Sequence, residues 1–146
     1  MRATAQDRAG WMARLMLLAA GLLYVLIGSK FVLDPEAAGA ESGYRFAAAV
    51  ARTNLRAGVG GFPLGVAAAL LYCAASPART LAGLKLAAGV TGVVLAIRLA
   101  SAANDGVVGD AAKLLAPESI VTVLTGTTAL LLARRNAAKA GGDTGI

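Results

Sequence analysis

Four long apolar runs, separated by charged or Gly/Pro-containing stretches, constrain this chain more than any other feature. They cover residues 11–33, 55–75, 81–102 and 117–134. Each is long enough for a membrane span, because a helix needs about 20 mostly apolar residues to cross the hydrocarbon core. Only 15% of the residues are charged, against about a quarter in a soluble domain. The sequence therefore predicts an all-α integral membrane four-helix bundle that forms a single domain over residues 1–146.

The connections between these runs carry helix-boundary signals. Ser42 can cap a short interfacial helix that runs from Gly43 into the second span. Pro117 and Glu118 are predicted to start the fourth span, because proline suits a first helical turn and an acid complements the helix dipole. Residues 136–146, which are rich in glycine, are predicted to form a flexible tail.

The predicted interfacial helix would place three arginines on one face. Arg45, Arg52 and Arg56 are spaced at i, i+7 and i+11, which brings them together if the helix is continuous. One interpretation is a basic stripe that binds lipid phosphates or another anion. The alternative is a solvated face at the membrane surface.

The second span contains an unusual concentration of glycine and a proline. The residues concerned are Gly58, Gly60, Gly61, Pro63 and Gly65. Glycines at spacings of three and four leave a smooth strip that a neighbouring helix can approach closely. Pro63 has no N–H to donate four residues back, so the helix is expected to kink or loosen there. These residues are predicted to form a tight packing site, with a ligand-facing opening as the alternative.

Charged residues gather near the ends of the spans that lie opposite the N-terminus. They are Lys30, Arg56, Arg98, Asp105 and Glu118. Arg98 can form a bidentate pair with Glu118 or Asp105, and Arg56 can take the other acid. The first interpretation is a structural clasp between helices. The second is a pocket in which an arginine meets an anionic headgroup, a fatty acid or a small anion.

The distribution of charge also predicts an orientation. Across four spans, the N-terminal side would carry eight Lys and Arg residues against two acids, whereas the opposite side would carry six against six. Because cytoplasmic loops are enriched in Lys and Arg, both termini are predicted to be cytoplasmic. Leu18-Ala-Ala-Gly21 recurs as Leu86-Ala-Ala-Gly89, which indicates either a two-plus-two internal repeat or a chance agreement in an Ala- and Leu-rich chain.

Two segments resemble the motifs of a known family. Asn54-Leu-Arg-Ala-Gly-Val-Gly-Gly-Phe-Pro-Leu-Gly65 and Ile97-Arg-Leu-Ala-Ser-Ala-Ala-Asn-Asp-Gly106 resemble the two motifs of small bacterial four-helix membrane proteins catalogued as domain-of-unknown-function 4345. In that family an acid usually stands where this chain has Asn54. The resemblance implies a four-helix membrane fold in a bacterial inner membrane, and it implies no reaction.

Composition narrows the classes of function. The chain has no His, and its single Cys73 lies in an apolar run, which argues against zinc sites, His-based catalysis and disulfides within one copy. No metal or cofactor is predicted, and the basic residues are explained by topology rather than by nucleic-acid binding. We expect a non-enzymatic scaffold, an accessory subunit of a membrane complex or a lipid-interacting bundle, with membrane lipids, a second copy or a larger complex as partners.

Two alternatives remain open. The first is a small carrier, which would need polar residues that continue through the midplane, where Thr91, Thr122 and Thr125 are the main candidates, or a protein that binds an anionic lipid or a small anion in a pocket at the outer ends of the helices. The second is a lipid-modifying enzyme in which Asp105 or Glu118 acts as acid or base beside Arg98.

Overall fold

The computed structural model describes residues 5–142, with side chains described at 10–107, 115–116 and 118–138. Within this part every regular element is helical. The elements are α1 (Ala5–Leu33), α2 (Pro35–Glu41), α3 (Ala49–Leu55), a π-helical segment (Arg56–Gly61), α4 (Phe62–Ala74), a 3-10 turn (Pro77–Arg79), α5 (Thr80–Asn104) and α6 (Val108–Gly142). The predicted all-α class is confirmed.

Three segments in the described part are long and apolar enough to cross a membrane. They are Gly10–Leu33, Ala49–Ala74 and Pro77–Asn104. At a rise of 1.5 Å per residue each is about 36 Å or longer, which exceeds the roughly 30 Å hydrocarbon core. The second segment starts at Ala49, earlier than predicted, because α3, the π-helical segment and α4 are continuous. The predicted fourth span, 117–134, lies within α6, and its crossing of the membrane stays a prediction.

The long helices pack as two hairpins. In one, α1 lies against α4 and the π-helical segment; in the other, α5 lies against α6, and further contacts of α5 with α1 and α4 join the two. Leu17, Leu70 and Leu84 are the largest fully buried side chains. Small residues surround them, notably Ala13 and Ala87. The core is therefore built on close helix approach around a few leucines.

The start of α6 differs from the prediction. Gly106 has φ +70°, and the N–H of Val107 donates to the carbonyl of Ala102 at 3.0 Å. A left-handed glycine of this kind ends a helix and reverses the chain at once. As a result α6 begins at Val108 rather than near Pro117, which is in the helix interior. Residues 136–142 also continue α6, where a flexible tail was predicted, and 143–146 lie outside the described residues.

The short interfacial helix is also placed differently. A short helix does lie between the first two spans, but it is α2, which comes before Ser42 instead of after it. Asp34 caps it, because its Oδ1 accepts from the N–H of Ala37 at 3.0 Å, and Pro35 occupies the first turn. Gly43, with φ +81°, ends it. The Asp-Pro start signal and the left-handed glycine thus set the boundaries, and Ser42 is the C-cap.

Candidate functional site

The backbone in front of Pro63 forms a π-helical segment. The N–H of Phe62 donates to the carbonyl of Ala57, five residues back. Pro63 is buried at the start of α4 and has no N–H of its own to donate. The extra residue in the turn accommodates this lost donor, as π-bulges in helices do. The predicted loosening of the second span at Pro63 is confirmed.

The closest helix contact in this region joins Gly60 to α1. A Cβ added to Gly60 would lie 2.6 Å from Cγ2 of Val32 and 3.2 Å from the carbonyl oxygen of Gly28. A Cβ added to Gly28 would lie 2.7 Å from the carbonyl oxygen of Gly60. Only a hydrogen fits at either position. These two glycines allow α1 and the π-helical segment to pack backbone to backbone.

Gly58, Gly61 and Gly65, the glycines at spacings of three and four, do not pack against another helix in the described part of this chain. A Cβ added to Gly58 or Gly65 would have nothing within 4 Å, and one added to Gly61 would meet only the carbonyl oxygen of Arg56, 3.6 Å away. The physical reason is the π-helical turn, whose extra residue rotates the faces of the helix relative to regular α-helical spacing. Gly60, between these positions in sequence, faces α1 instead.

Gly28 was not among the predicted packing residues. Gly21 precedes it by seven residues on the same face of α1, and a Cβ added there would lie 2.8 Å from Leu71. That seven-residue spacing is the sequence signal for the packing face of the first span. Gly89 of the second hairpin corresponds to Gly21 in the repeated Leu-Ala-Ala-Gly sequence. A Cβ added to Gly89 would have nothing within 4 Å, so the two hairpins are packed differently.

Arg98 and Glu118 form the bidentate pair that links α5 to α6. Nε of Arg98 donates to Oε2 of Glu118 and Nη2 donates to Oε1, both at 2.8 Å. The side chains are 35% and 22% exposed. The predicted pairing of Arg98 with Glu118 is confirmed. Asp105, the other predicted acid, is exposed and caps the end of α5 through its backbone N–H.

Arg56 does not take an acid as its hydrogen-bond partner. Its Nε donates to the carbonyl oxygen of Val32, in the last turn of α1, at 3.3 Å. The last four carbonyls of a helix have no partner within the helix, so this bond satisfies one of them. Arg56 thereby joins the end of α1 to the start of the π-helical segment.

Two further ion pairs lie at the same end of the molecule. Lys30 pairs with Glu41 and Arg52 pairs with Glu36, and all four side chains are more than 40% exposed. The predicted stripe of three arginines does not form, because Arg45 lies in the irregular segment 44–48 that follows Gly43.

We call the end of the bundle that contains these ion pairs the mixed-charge end. Its described charged side chains are Lys30, Asp34, Glu36, Glu41, Arg45, Arg52, Arg56, Arg98, Asp105 and Glu118.

The predicted charged residues thus have separate partners: Lys30 and Arg98 each pair with a different acid, and Arg56 bonds to a backbone carbonyl oxygen. Lys30 and Arg98 nevertheless lie at about the same level of the bundle. Leu17 of α1 lies against Gly83 of α5, and Lys30 and Arg98 each lie about 20 Å further along their helices. Lys30, Arg56 and Arg98 have different partners, however. The mixed-charge end is a set of local clasps rather than one cluster.

A groove of about 400 Å³ opens at the mixed-charge end. It lies between the end of α1, the first turn of α2, and α3. Its lining residues are Leu33, Asp34, Pro35, Glu36, Ala49, Arg52, Thr53 and Arg56. Two arginines and two carboxylates therefore share one open cavity, and their formal charges cancel.

The opposite end of the bundle is basic. Arg14 donates from Nε to the carbonyl oxygen of Ala74 at 2.8 Å, and the guanidinium of Arg79 stacks 3.9 Å from the centroid of the Tyr72 ring. The first contact ties the N-terminal half of α1 to the end of α4. We call this the basic end. Its described charged side chains are Arg14, Arg79, Lys85, Arg134 and Arg135.

The polar side chains of the midplane are mostly bonded to their own helices. The hydroxyl of Thr91 donates to the carbonyl oxygen of Ala87 at 2.8 Å, and that of Thr125 donates to Val121 at 2.7 Å. In the described part, Thr122 Oγ1 is buried without a hydrogen-bond partner. Hydroxyls that bond to their own backbone do not provide a continuous polar path.

Comparison with known proteins identifies a family. Residues 11–126 match the family model described as Domain of unknown function (DUF4345), a range that contains both the π-helical segment and the Arg98–Glu118 pair. No curated protein and no solved structure matches the sequence. Since the family model covers well over half of the 146 residues, the chain belongs to the DUF4345 family.

Proposed function

We propose that this protein is a non-enzymatic integral membrane protein that acts as a lipid-interacting helix bundle. In this proposal it resides in a bacterial inner membrane with both termini in the cytoplasm. The observation that carries the proposal is the separation of charge. One end of the bundle is basic, the other is mixed, and the helices between them have an apolar outer surface.

The basic end supports the orientation. Its described side chains include five Lys and Arg residues and no acid, whereas the mixed-charge end has five bases and five acids among its described side chains. Lys and Arg are retained on the cytoplasmic side of membrane proteins. Each is attracted to anionic headgroups by about 1 kcal/mol, so the basic end is suited to the anionic lipids of the cytoplasmic leaflet.

The packing of the interior supports a bundle over a carrier. The hydroxyls of Thr91 and Thr125 are used by their own helices, and the largest fully buried side chains, Leu17, Leu70 and Leu84, are apolar. A conducting path needs polar groups that line a water-filled or ion-coordinating route. The geometry favours lipid contact on the outside of the bundle over transport through its middle.

The orientation is tested by cysteine labelling in a Cys73→Ala background. Ala47→Cys places a thiol in the exposed segment between α2 and α3, and Ala137→Cys places one in the exposed C-terminal part of α6. With a membrane-impermeant maleimide, we expect labelling of Ala47→Cys in intact spheroplasts and of Ala137→Cys only after lysis. The reverse pattern would overturn the orientation.

The lipid interaction is tested by native mass spectrometry of protein extracted in mild detergent. We expect phospholipid adducts that persist at collision energies sufficient to remove the detergent. A spectrum that contains only bare protein, together with a lipid-to-protein ratio of zero after purification, would overturn the lipid-interacting role.

A further inference from the structure

We propose that the groove between α2 and α3 binds a phosphoethanolamine group, with the phosphate on Arg56 and Arg52 and the ammonium on Asp34 and Glu36. The occupant is the headgroup of a zwitterionic phospholipid in the surrounding leaflet. The inference rests on the proposed lipid-interacting function and names the class of lipid.

The position and size of the groove suit a lipid headgroup. Its volume of about 400 Å³ falls within the range of small-ligand sites, roughly 300–1,000 Å³. It opens where α1 leaves its apolar segment, at the level of the membrane interface. Leu33 lies on its lining and is 80% exposed, which provides an apolar surface beside the charged groups for the start of an acyl chain.

Arg56 provides the phosphate-binding side. Its Nε is engaged by the carbonyl of Val32, which holds the guanidinium in place on the groove lining. Among the described residues, its two Nη groups have no hydrogen-bond acceptor. A guanidinium presents paired N–H donors that match two oxygens of a phosphate, so Arg56 is preorganised for this contact.

The carboxylates provide the ammonium-binding side. Glu36 pairs with Arg52 across the groove lining, and both side chains are more than 40% exposed. Exposed ion pairs contribute little to stability, so a ligand that carries both charges can replace this pair with two new ones at small cost. Asp34 uses Oδ1 for the N–H of Ala37 and retains a second oxygen that can accept.

The balance of charge selects the class of headgroup. Two arginines and two acids attract neither a purely anionic nor a purely cationic ligand by net charge. A zwitterion satisfies both signs at once. Among zwitterions, a primary ammonium donates three hydrogen bonds, whereas the quaternary ammonium of choline has no N–H. Phosphoethanolamine is therefore favoured over phosphocholine, and over phosphoglycerol, which has no cation.

The test measures lipid affinity by native mass spectrometry of the full chain, titrated with phosphatidylethanolamine, phosphatidylcholine and phosphatidylglycerol of identical acyl chains. We expect roughly tenfold tighter binding of phosphatidylethanolamine, the scale of one added charge-assisted hydrogen bond. Arg56→Met is expected to abolish this preference. Arg45→Met is the matched control, since it removes an exposed arginine of the same end that does not line the groove.

A second variant keeps the proposal falsifiable if Arg56→Met fails to fold. Glu36→Gln retains the size of an exposed side chain and removes one ammonium acceptor. We expect it to weaken phosphatidylethanolamine binding and to leave phosphatidylglycerol binding unchanged or stronger. Equal weakening of both lipids would overturn the assignment of the ammonium side.

Competition separates a lipid from a soluble ligand. Millimolar free phosphoethanolamine should displace the lipid, and equimolar inorganic phosphate should not; displacement by phosphate alone would overturn the zwitterion assignment. Tighter binding of free phosphoethanolamine than of the lipid would overturn the lipid source. If the parent protein binds all three lipids equally and Arg56→Met does not change their binding, the groove assignment is refuted and the proposed function is not. If the parent protein carries no lipid adducts at all, the proposed function itself is refuted.

Discussion

Gly60→Ala tests whether backbone contact between α1 and the π-helical segment stabilises the bundle. The added Cβ would lie 2.6 Å from Cγ2 of Val32, 3.1 Å from the amide nitrogen of Val32 and 3.2 Å from the carbonyl oxygen of Gly28. Carbon atoms rest at about 3.5–4.0 Å. The valine side chain cannot turn away easily, because β-branched residues have one preferred rotamer in a helix. The two helices must therefore separate by several tenths of an ångström or more.

The magnitude follows from two opposing terms. Overpacking a well-filled interface costs about 1–3 kcal/mol. Replacing glycine by alanine in a helix contributes about 0.5–1 kcal/mol in the opposite direction. Gly58→Ala is the matched control, because it lies in the same π-helical segment with nothing within 4 Å of an added Cβ. The difference between the two variants isolates the packing term at about 1–3 kcal/mol, or roughly a five- to 150-fold change in the unfolding equilibrium constant.

The measurement is equilibrium unfolding in mixed micelles with a rising mole fraction of dodecyl sulfate, followed by circular dichroism. We expect Gly60→Ala to unfold at a lower mole fraction than the parent protein, and Gly58→Ala to unfold at the same or a higher one. If Gly60→Ala is at least as stable as Gly58→Ala, the close approach of these helices contributes nothing and the reasoning is refuted.

The remaining predictions use the same unfolding assay. Arg98→Met should lower the free energy of unfolding by about 1–3 kcal/mol, less than the 3–5 kcal/mol typical of a fully buried pair, because the pair is partly exposed. Adding Glu118→Leu should restore much of this loss, because it removes the unpaired carboxylate. A double variant less stable than Arg98→Met would contradict the interpretation as a clasp. Thr122→Val removes a buried hydroxyl that has no partner and should be neutral or stabilising by about 1 kcal/mol. Thr125→Val is the comparison, because it removes a hydroxyl that is hydrogen-bonded; it should be neutral or slightly destabilising. A larger loss of stability for Thr122→Val than for Thr125→Val would show that the Thr122 hydroxyl has a partner.

Local signals in the sequence predicted the helices and their irregularities well. The apolar runs of the first three spans match the three segments that can cross a membrane. Pro63 predicted the loosening that the π-helical segment provides. The Arg98–Glu118 pair was also one of two predicted options, because both residues lie near the ends of predicted spans on the same side of the membrane.

Helix boundaries were predicted less well where two signals competed. Ser42 and Pro117 are both residues that often start helices, yet the chain uses Asp34 and the positions after Gly106 instead. Gly43 ends α2 directly after Ser42, and Gly106 ends α5 well before Pro117. The choice among adjacent signals depends on how soon the chain must reverse to pack on its neighbour, which is not encoded in any single residue.

The sequence by itself determined that this chain forms apolar helices, that the second of them loosens at Pro63, and that charge is segregated between two ends. These properties follow from residue composition and from chemistry within a few positions along the chain. Only the tertiary structure decided that Gly28 and Gly60 make the close contact while Gly58 and Gly65 do not, and that Arg56 and Arg52 line one groove with two carboxylates. Both depend on how each helix is rotated about its axis relative to its neighbours, and a single π-helical turn changes that rotation for the residues around it.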